Sequence, residues 1–551
     1  MARPFERFFQ KAFFFNFLTI FTGKGIELKK DRFDTDYEVG QDNITKWGMD
    51  MHNPVFFISA AAVIIFIVLT LINPVGAKKI FDASKGWTIQ NFDWFFMISG
   101  NLFVLFCLAM IVLPVGKIRL GGSESKPEFT RLSWFAMLFA AGMGIGLMFW
   151  SVAEPVAYYT DWWGTPLNVA AKTPEAARAA MGATMFHWGI HPWAMYAVTA
   201  LALGFFAFNK NLPLTIRSTF FPVLGEMTWG WVGHIIDVIS VLATIFGLAT
   251  SLGFGAQQAA SGLHFLFGFE NTIGLQLIII ACVTAVAVIS VVRGLHGGVK
   301  ILSNINMIIA VFLLVFVVLA GSFTNFFAGL GKTTSAYLEY LLPLSNWIDR
   351  ADEKFYKGWT VFYWAWWISW APFVGMFIAR ISKGRTIREF MTAVLLVPTA
   401  LTIVWMQAFG GNALLQIQNG IGTLAEKGLG EVSLAMFQML ENLPMTGLTS
   451  FVGIILVLVF FVTSSDSGSL VVDSITAGGK LDAPVAQRIF WATLEGLIAM
   501  ALLVGGGADA LGAIQAVAVS VGLPFTMVMI VMMVSLFIGL RHEVNKMKVQ
   551  A

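Results

Sequence analysis

Residues Tyr363 to Phe373 read YWAWWISWAPF and sit inside a long apolar run. Four tryptophans, Trp364, Trp366, Trp367 and Trp370, therefore fall within one predicted membrane-spanning helix, with Pro372 directly after them. At about 100° per residue, Tyr363, Trp366, Trp367 and Trp370 share one helical stripe about 100° wide, and Trp364 lies off it. Two readings fit such a stripe. One is the aromatic belt that membrane helices carry at their ends, where an indole meets the headgroups. The other is a cage of ring faces for a cation that lacks N–H groups. A belt belongs at a helix end, whereas this stripe runs toward a proline expected to break the span at depth.

The surrounding chain sets the class. Of 551 residues, 57% are hydrophobic, 12% are charged and mean hydropathy is +0.76. That balance excludes a soluble domain and predicts an all-α polytopic membrane protein. Windows long enough to cross about 30 Å of hydrocarbon begin near Pro54, Trp94, Leu132, Met181, His234, Ile273, Ile301, Gly358, Ile387, Phe451, Ile489 and Gly512. They predict about twelve helices. The first of them is full length for a span, so no cleavable signal peptide is expected. Lys and Arg divide about 25 to about 10 between the two sets of loops, and RISKGRTIR (Arg380 to Arg388) is the strongest cluster. Both termini are accordingly expected in the cytoplasm. Cys107 and Cys282 both lie in apolar runs and support neither a disulfide framework nor a metal cluster.

Outside the spans, residues Phe5 to Phe21 mix phenylalanines with Arg7 and Lys11, which suits either a helix on the inner membrane surface or a disordered tail. TTSAYLEYLLPL (Thr333 to Leu344) reads as an amphipathic helix on the outer surface.

Two spans carry helix breakers. The third contains AAGMGIGLMFW (Ala140 to Trp150), in which Gly142, Gly144 and Gly146 alternate; the eighth contains Pro372 and Gly375. Such glycines serve either backbone access to a ligand or close helix packing. Paired broken helices mark the substrate site of inverted-repeat transporters. The spans concerned are five apart, which suits two five-helix repeats preceded by two extra helices. The expected division is 1–53 cytoplasmic segment, 54–131 two peripheral helices, 132–330 first repeat, 331–357 external connector, 358–540 second repeat and 541–551 short tail.

A second aromatic group, HWGIHPWAMY (His187 to Tyr196), lies in the fourth span. Trp188, Trp193 and Tyr196 occupy an arc of about 140°, suited to lining a cavity, although Pro192 would distort it. His187 and His191 have the i, i+4 spacing of a helical zinc site, but no acid or cysteine lies nearby in sequence, and packed histidines are the better reading. Intramembrane acids are few: Glu154, Asp237, Asp466 and Glu495. Each is a functional candidate by position, although Glu154, before Pro155, reads as reaching the interface. In VTSSDSGS, Thr463 and Ser464 offer adjacent hydroxyls for a small hard cation, or bond to their own helix.

GMGIGLMFW, HWGIHPWAMY, ATIFG and WAWWISWAPFVGMFIARISKGR, in that order and spacing from about Asn53 to Leu540, resemble the betaine/carnitine/choline transporter family, whose fold is shared with the neurotransmitter:sodium symporters. The resemblance implies a homotrimeric secondary transporter in the bacterial inner membrane, with no enzymatic activity, no cofactor and no nucleic-acid partner. It implies an aromatic box of Trp188, Trp193, Tyr196 and Trp367, with Trp370 on the substrate path. The stretch Met143, Gly144 and Gly146 would face the substrate carboxylate. A sodium ion would be held by backbone carbonyls of Ala140, Met143 and Phe460 with the hydroxyls of Thr463 and Ser464. A second sodium site would use Thr244 and Phe373, but its remaining hydroxyl position is Leu248. Choline carriers of the family that use protons have an aspartate where this chain has Gly146, which favours a zwitterion that brings its own carboxylate.

The expectation is therefore sodium symport of an onium zwitterion, glycine betaine first, with dimethylsulfoniopropionate, carnitine or ectoine compatible with the same box. The alternatives are a proton-coupled choline transporter or a substrate/product exchanger of the family. A membrane hydrolase built on His187, His191 and Glu154 lacks both HExxH and GxSxG. A channel would not need paired broken helices.

Overall fold

The structure is a computed structural model that describes residues 33–142, 144–293, 300–425 and 429–550. The segment Phe5 to Phe21, read as a surface helix or a disordered tail, and the expected ligand Met143 lie outside the described residues.

A short hairpin, β1 (Asn43–Lys46) and β2 (Met49–His52), precedes the helices. Then follow α1 (Val55–Ile72), α2 (Pro74–Val112), α3 (Arg131–Gly142), α4 (Ile145–Thr160), α5 (Pro174–Trp188), α6 (Ile190–Lys210), α7 (Trp231–Phe267), α8 (Ile273–Arg293) and α9 (Lys300–Ala320). The amphipathic α10 (Phe323–Ser345) leads to α11 (Val361–Ile381), α12 (Ile387–Met406), α13 (Thr446–Thr476), α14 (Val485–Gly506) and α15 (Ala510–Gln550). Several starts are written in the sequence. Asn73 accepts from Gly76 N at 2.9 Å with Pro74 in the first turn, and Thr173 accepts from Ala176 N at 3.0 Å ahead of Pro174. At the other end of α7, Gly268 (φ +73°) supplies the left-handed residue that stops the helix.

Among the described residues, ten helices are long and apolar enough to cross a membrane, rather than the expected twelve. The difference has two sources. The third predicted span is cut into α3 and α4, of 12 and 16 residues. The run 485–547 counts once, although a tight turn at Gly507–Asp509 separates α14 from α15.

Burial sorts the helices into shell and centre. In the most apolar window of 302–320, 22% of residues are buried inside the protein, against 94% in that of 353–381. The former lies at the periphery of the chain and the latter is enclosed by protein, packed on α6, α7 and α15. The aromatic stripe therefore cannot be an interfacial belt. The connector α10 runs from Phe323, earlier than expected, and buries Phe326, Gly329, Thr333, Tyr337, Tyr340 and Leu344 at helical spacing against α5.

One expected break is corrected and one expected distortion is relocated. Pro372 does not interrupt the eighth span: α11 is continuous from Val361 to Ile381 with the proline inside it. A proline removes one N–H and crowds the preceding turn, which a helix enclosed by neighbours tolerates. Gly375 serves packing, since a Cβ there would lie 2.8 Å from Thr199 Cγ2 and 3.2 Å from Ala200 N on α6. The fourth span, by contrast, breaks at Gly189 (φ −95°, ψ −131°), not at Pro192. Pro192 sits in the first turn of α6, where a missing N–H costs nothing. A Cβ on Gly189 would lie 2.6 Å from both Met185 O and Tyr337 Oη, and Tyr337 accepts the freed Ile190 N–H at 2.9 Å.

The two ends of the described chain meet on one side. Phe33 packs edge-on against His542 of α15 at 5.7 Å, and Lys210 pairs with Glu543.

Candidate functional site

The break at Gly189 aims the last residue of α5, Trp188, and the first turns of α6 at the stripe on α11. Trp188 meets Trp367 edge-to-face with centroids 4.8 Å apart, and Trp366 at 6.2 Å. Tyr196 meets Trp367 at 6.3 Å and Trp193 at 5.5 Å, both near 90°. Trp366 stacks on Trp367 at 4.7 Å, and Trp370 stands edge-on to Trp366 at 6.2 Å. Trp188, Trp193, Tyr196 and Trp367 are thus brought together as expected, all nearly fully buried. Trp364 points the other way: it stacks on His191 at 5.1 Å and touches the space above Gly100 of α2.

Three indole N–H groups are tied to the surrounding protein, whereas Trp366 Nε1 and Tyr196 Oη have no partner among the described residues. Trp367 Nε1 donates to His187 O at 2.9 Å and Trp370 Nε1 to Gly247 O at 2.9 Å. Trp188 Nε1 donates to Glu154 Oε2 at 2.6 Å. Glu154 was expected at the interface and is instead fully buried in mid-α4. Its carboxyl also accepts from Tyr158 Oη at 2.8 Å and from Tyr363 Oη, and lies 3.0 Å from His187 Nδ1. His187 Nε2 in turn lies 3.0 Å from Thr360 Oγ1, and His191 Nε2 lies 3.1 Å from Asn101 Oδ1. The histidines are hydrogen-bonded packing groups, and among the described residues no group of three or more His, Cys, Asp or Glu could hold a metal.

The break between α3 and α4 forms the adjoining wall. Gly144 (φ −156°, ψ −147°) precedes α4, whose N-terminus has no side-chain cap. Uncapped N–H groups with the helix dipole behind them form an anion-binding end. Gly146 touches the box: a Cβ there would lie 2.8 Å from Trp366 Cη2 and 2.9 Å from Trp188 Cη2. Gly144 looks the other way, with Ser464 Oγ 3.6 Å from its Cβ position. One broken strand of backbone thus joins the rings to the hydroxyl pair.

The pair itself sits on an unbroken helix, α13, with Phe460 one turn before it. Thr463 Oγ1 donates to Val459 O at 3.0 Å and Phe460 O at 3.2 Å, leaving its lone pairs free. Ala140 lies in the last turn of α3. At the other expected position, Thr244 Oγ1 donates to Ser240 O at 2.8 Å, and Phe373 packs on Trp370 at 5.7 Å. Leu248, one turn beyond Thr244, packs its side chain against α13, its Cδ1 2.1 Å from where Gly468 would carry a Cβ.

A ladder of rings leads outward. Tyr363 lies 5.7 Å from Trp188, Trp359 stacks on Tyr363 at 6.4 Å, and Trp162 lies 6.2 Å from Trp359. Trp162 and Trp359 line a cavity of about 600 Å³ together with Gln257, Asn271 and Glu431.

Residues 54–545 match the model of the betaine/carnitine/choline family transporters. The chain is 60% identical over 524 residues to glycine betaine transporter 1 of Vibrio parahaemolyticus, covering 94% of this chain and 99% of that one. A glycine betaine/proline/choline/ectoine transporter of the same organism is 57% identical, with 94% and 92% covered. The glycine betaine transporter OpuD of Bacillus subtilis is 39% identical, with 90% and 95% covered.

Proposed function

This chain belongs to the betaine/carnitine/choline transporter family, and from that premise we propose that it imports glycine betaine by sodium symport through alternating access. It is a transporter of the betaine type and not an enzyme. The observation that carries the substrate reading is the contact of Gly146 with Trp188 and Trp366. It sets an uncapped helix N-terminus directly against a box of ring faces. A methylated onium has no N–H to donate, so ring quadrupoles hold it, each desolvated contact contributing up to about 2 kcal/mol. The carboxylate of a zwitterion is then in reach of the α4 N-terminus. A bare cation would leave that end unpartnered, whereas betaine, carnitine, ectoine and dimethylsulfoniopropionate carry both charges.

Sodium is assigned to the carbonyls of Ala140, Met143 and Phe460 and the hydroxyls of Thr463 and Ser464, where Ser464 faces the break at Gly144. A second ion at Thr244 and Phe373 is disfavoured by Leu248. In this reading the protein is a homotrimer in the inner membrane with cytoplasmic termini, built as two inverted five-helix repeats after α1 and α2. The test is uptake of labelled betaine into proteoliposomes with and without a sodium gradient, competed by a panel of zwitterions and choline. Uptake driven by protons without sodium, or choline competing as well as betaine, would overturn the proposal.

A further inference from the structure

Ahead of the β1–β2 hairpin lies an extended stretch, Phe33 to Tyr37. Phe33, Thr35 and Tyr37 are half-buried and Asp34 and Asp36 between them are exposed, the two-residue alternation of an extended segment laid on a surface. The three inward side chains have separate seats. Phe33 lies 6.2 Å from Phe206 of α6, 6.3 Å from Phe221 and 5.7 Å from His542 of α15, with Lys210 Nζ 4.6 Å from its ring centre. Thr35 Oγ1 accepts from Trp229 Nε1 at 2.9 Å and donates to Glu226 Oε2 at 3.2 Å. Tyr37 stacks on Trp229 with centroids 4.3 Å apart and planes 9° apart, and its Oη accepts from Arg217 Nη2 at 2.7 Å.

Arg217 is the hub of this face. It is fully buried in the loop between α6 and α7, with Nε 3.2 Å from Asp237 Oδ2 and Nη1 3.1 Å from His52 Nε2 and 3.3 Å from His234 Nδ1. It therefore ties the start of α7 to Tyr37 and to the end of β2. The hairpin between them holds other elements. Asn43 Nδ2 donates to Ala477 O, just past α13, at 2.9 Å, Asp50 N donates to Gln487 Oε1 of α14 at 3.0 Å, and Asp50 pairs with Lys480. In the proposed architecture α6 and α7 belong to the first repeat and α13, α14 and α15 to the second. Residues 33–52 thus fasten the two repeats together on the side where the described ends meet, the side expected to face the cytoplasm.

The two fastenings differ in kind. The hairpin is closed by its own ladder, and Asn53 N donates to Asp42 O at 3.2 Å across its base. Phe33 to Tyr37 is held by ring contacts and by hydrogen bonds through the side chains of Thr35 and Tyr37. Each such bond is modest in net terms, and a segment held this way opens locally without unfolding the body beneath it. Alternating access moves one repeat against the other around a fixed site, so the inner fastening must yield, and the side-chain one is the weaker. We propose that Phe33 to Tyr37 is an autoinhibitory strap, which clips the inner ends of α6, α7 and α15 together and leaves its seat on Arg217 and Trp229 each time the cytoplasmic side opens. The strap rests on the alternating-access reading above and adds a brake to it.

The test is turnover. Initial rates of sodium-driven betaine uptake into proteoliposomes, per folded chain, are measured over betaine concentration for the unmodified protein and for Thr35→Ala/Tyr37→Ala. Loss of the strap should raise kcat at least about twofold and change KM less than about twofold, because opening and not binding is relieved. A packing segment without a gating role gives no gain, so an equal or lower kcat overturns the proposal. Should that variant fail to fold, the strap is locked instead: Thr35→Cys/Glu226→Cys in a Cys107→Ala/Cys282→Ala chain, joined by a short bifunctional methanethiosulfonate reagent. Joining should lower uptake at least about fivefold, leave betaine binding by tryptophan fluorescence in place and reverse on reduction. Undiminished uptake by the joined protein overturns the strap. No uptake by the unmodified chain would overturn the transport reading and the strap with it, whereas normal uptake with unaltered variants overturns the strap alone.

Discussion

Glu154 holds Trp188 by its indole N–H at 2.6 Å, so a buried carboxyl on α4 fixes the orientation of a ring in the box. Three further groups converge on the same two oxygens: Tyr158, Tyr363 and His187. Glu154→Gln removes the negative charge that Trp188 and Tyr363 donate to and leaves a single acceptor oxygen for the group. Hydrogen bonds to a charged group contribute about 1.5–3 kcal/mol each, so affinity for betaine should fall at least tenfold, about 1.4 kcal/mol. Tryptophan-fluorescence titration with betaine reads this directly. An unchanged Kd would mean that Trp188 needs no such anchor.

Trp367 and Trp364 are three residues apart and should fail in different ways. Trp367→Leu keeps an apolar wall and removes the ring face, so the KM for betaine should rise at least tenfold, about 1.4 kcal/mol. Trp364 packs on His191 and against α2, away from the box. Trp364→Leu removes core volume and should lower the melting temperature with little change in KM. Equal, small changes in KM for both variants would contradict the assignment of the box.

The box was legible because a helix repeats every 3.6 residues: the stripe on α11 and the group His187 to Tyr196 could each be placed on a face. What remained hidden was depth. Glu154 stands before a proline, and sequence reading put it at a helix end. In the structure the glycine break restarts the helix at Ile145, so the same residue lies in mid-helix under the rings. The break expected at Pro372 and the distortion expected at Pro192 fail for a common cause. Pro372 and Pro192 are the strongest local breakers, yet one is tolerated inside an enclosed helix and the other occupies a first turn. Gly189 breaks its span because Tyr337, 147 residues away, takes the freed N–H. No local window contains that partner.

Gly146 tests shape before charge. The sequence comparison of zwitterion with cation suggested that Gly146→Asp would favour choline. A Cβ there would lie 2.8 Å from Trp366 and 2.9 Å from Trp188, so any side chain must first push the rings apart. Gly146→Ala should therefore already weaken betaine several-fold, and Gly146→Asp should weaken it more than alanine does. Relative to alanine, aspartate should shift the choline-to-betaine ratio of initial uptake rates toward choline. If alanine is silent, the rings are free to move; if aspartate leaves the ratio at the alanine value, the substrate carboxylate does not bind at this helix end.

The coupling ion is the last point at which geometry becomes arithmetic. Ser464 faces the break at Gly144, and the Thr463 hydroxyl spends its proton on its own helix while keeping lone pairs for a cation. Thr463→Ala/Ser464→Ala should raise the sodium concentration for half-maximal uptake several-fold and leave betaine binding at saturating sodium much less affected. At about −100 mV, one inward charge contributes roughly 2.3 kcal/mol, and a tenfold sodium gradient adds about 1.4 kcal/mol. One sodium therefore sustains roughly 500-fold accumulation of a neutral zwitterion, and two sustain about the square of that. With Leu248 filling the second hydroxyl position, reversal-potential measurements should return one ion per betaine if the Thr463–Ser464 site acts alone. A value of two requires another transported cation. Thr244→Ala then tests its seat: a return to one places it at Thr244 and Phe373 despite the leucine, and a persistent two rules that position out.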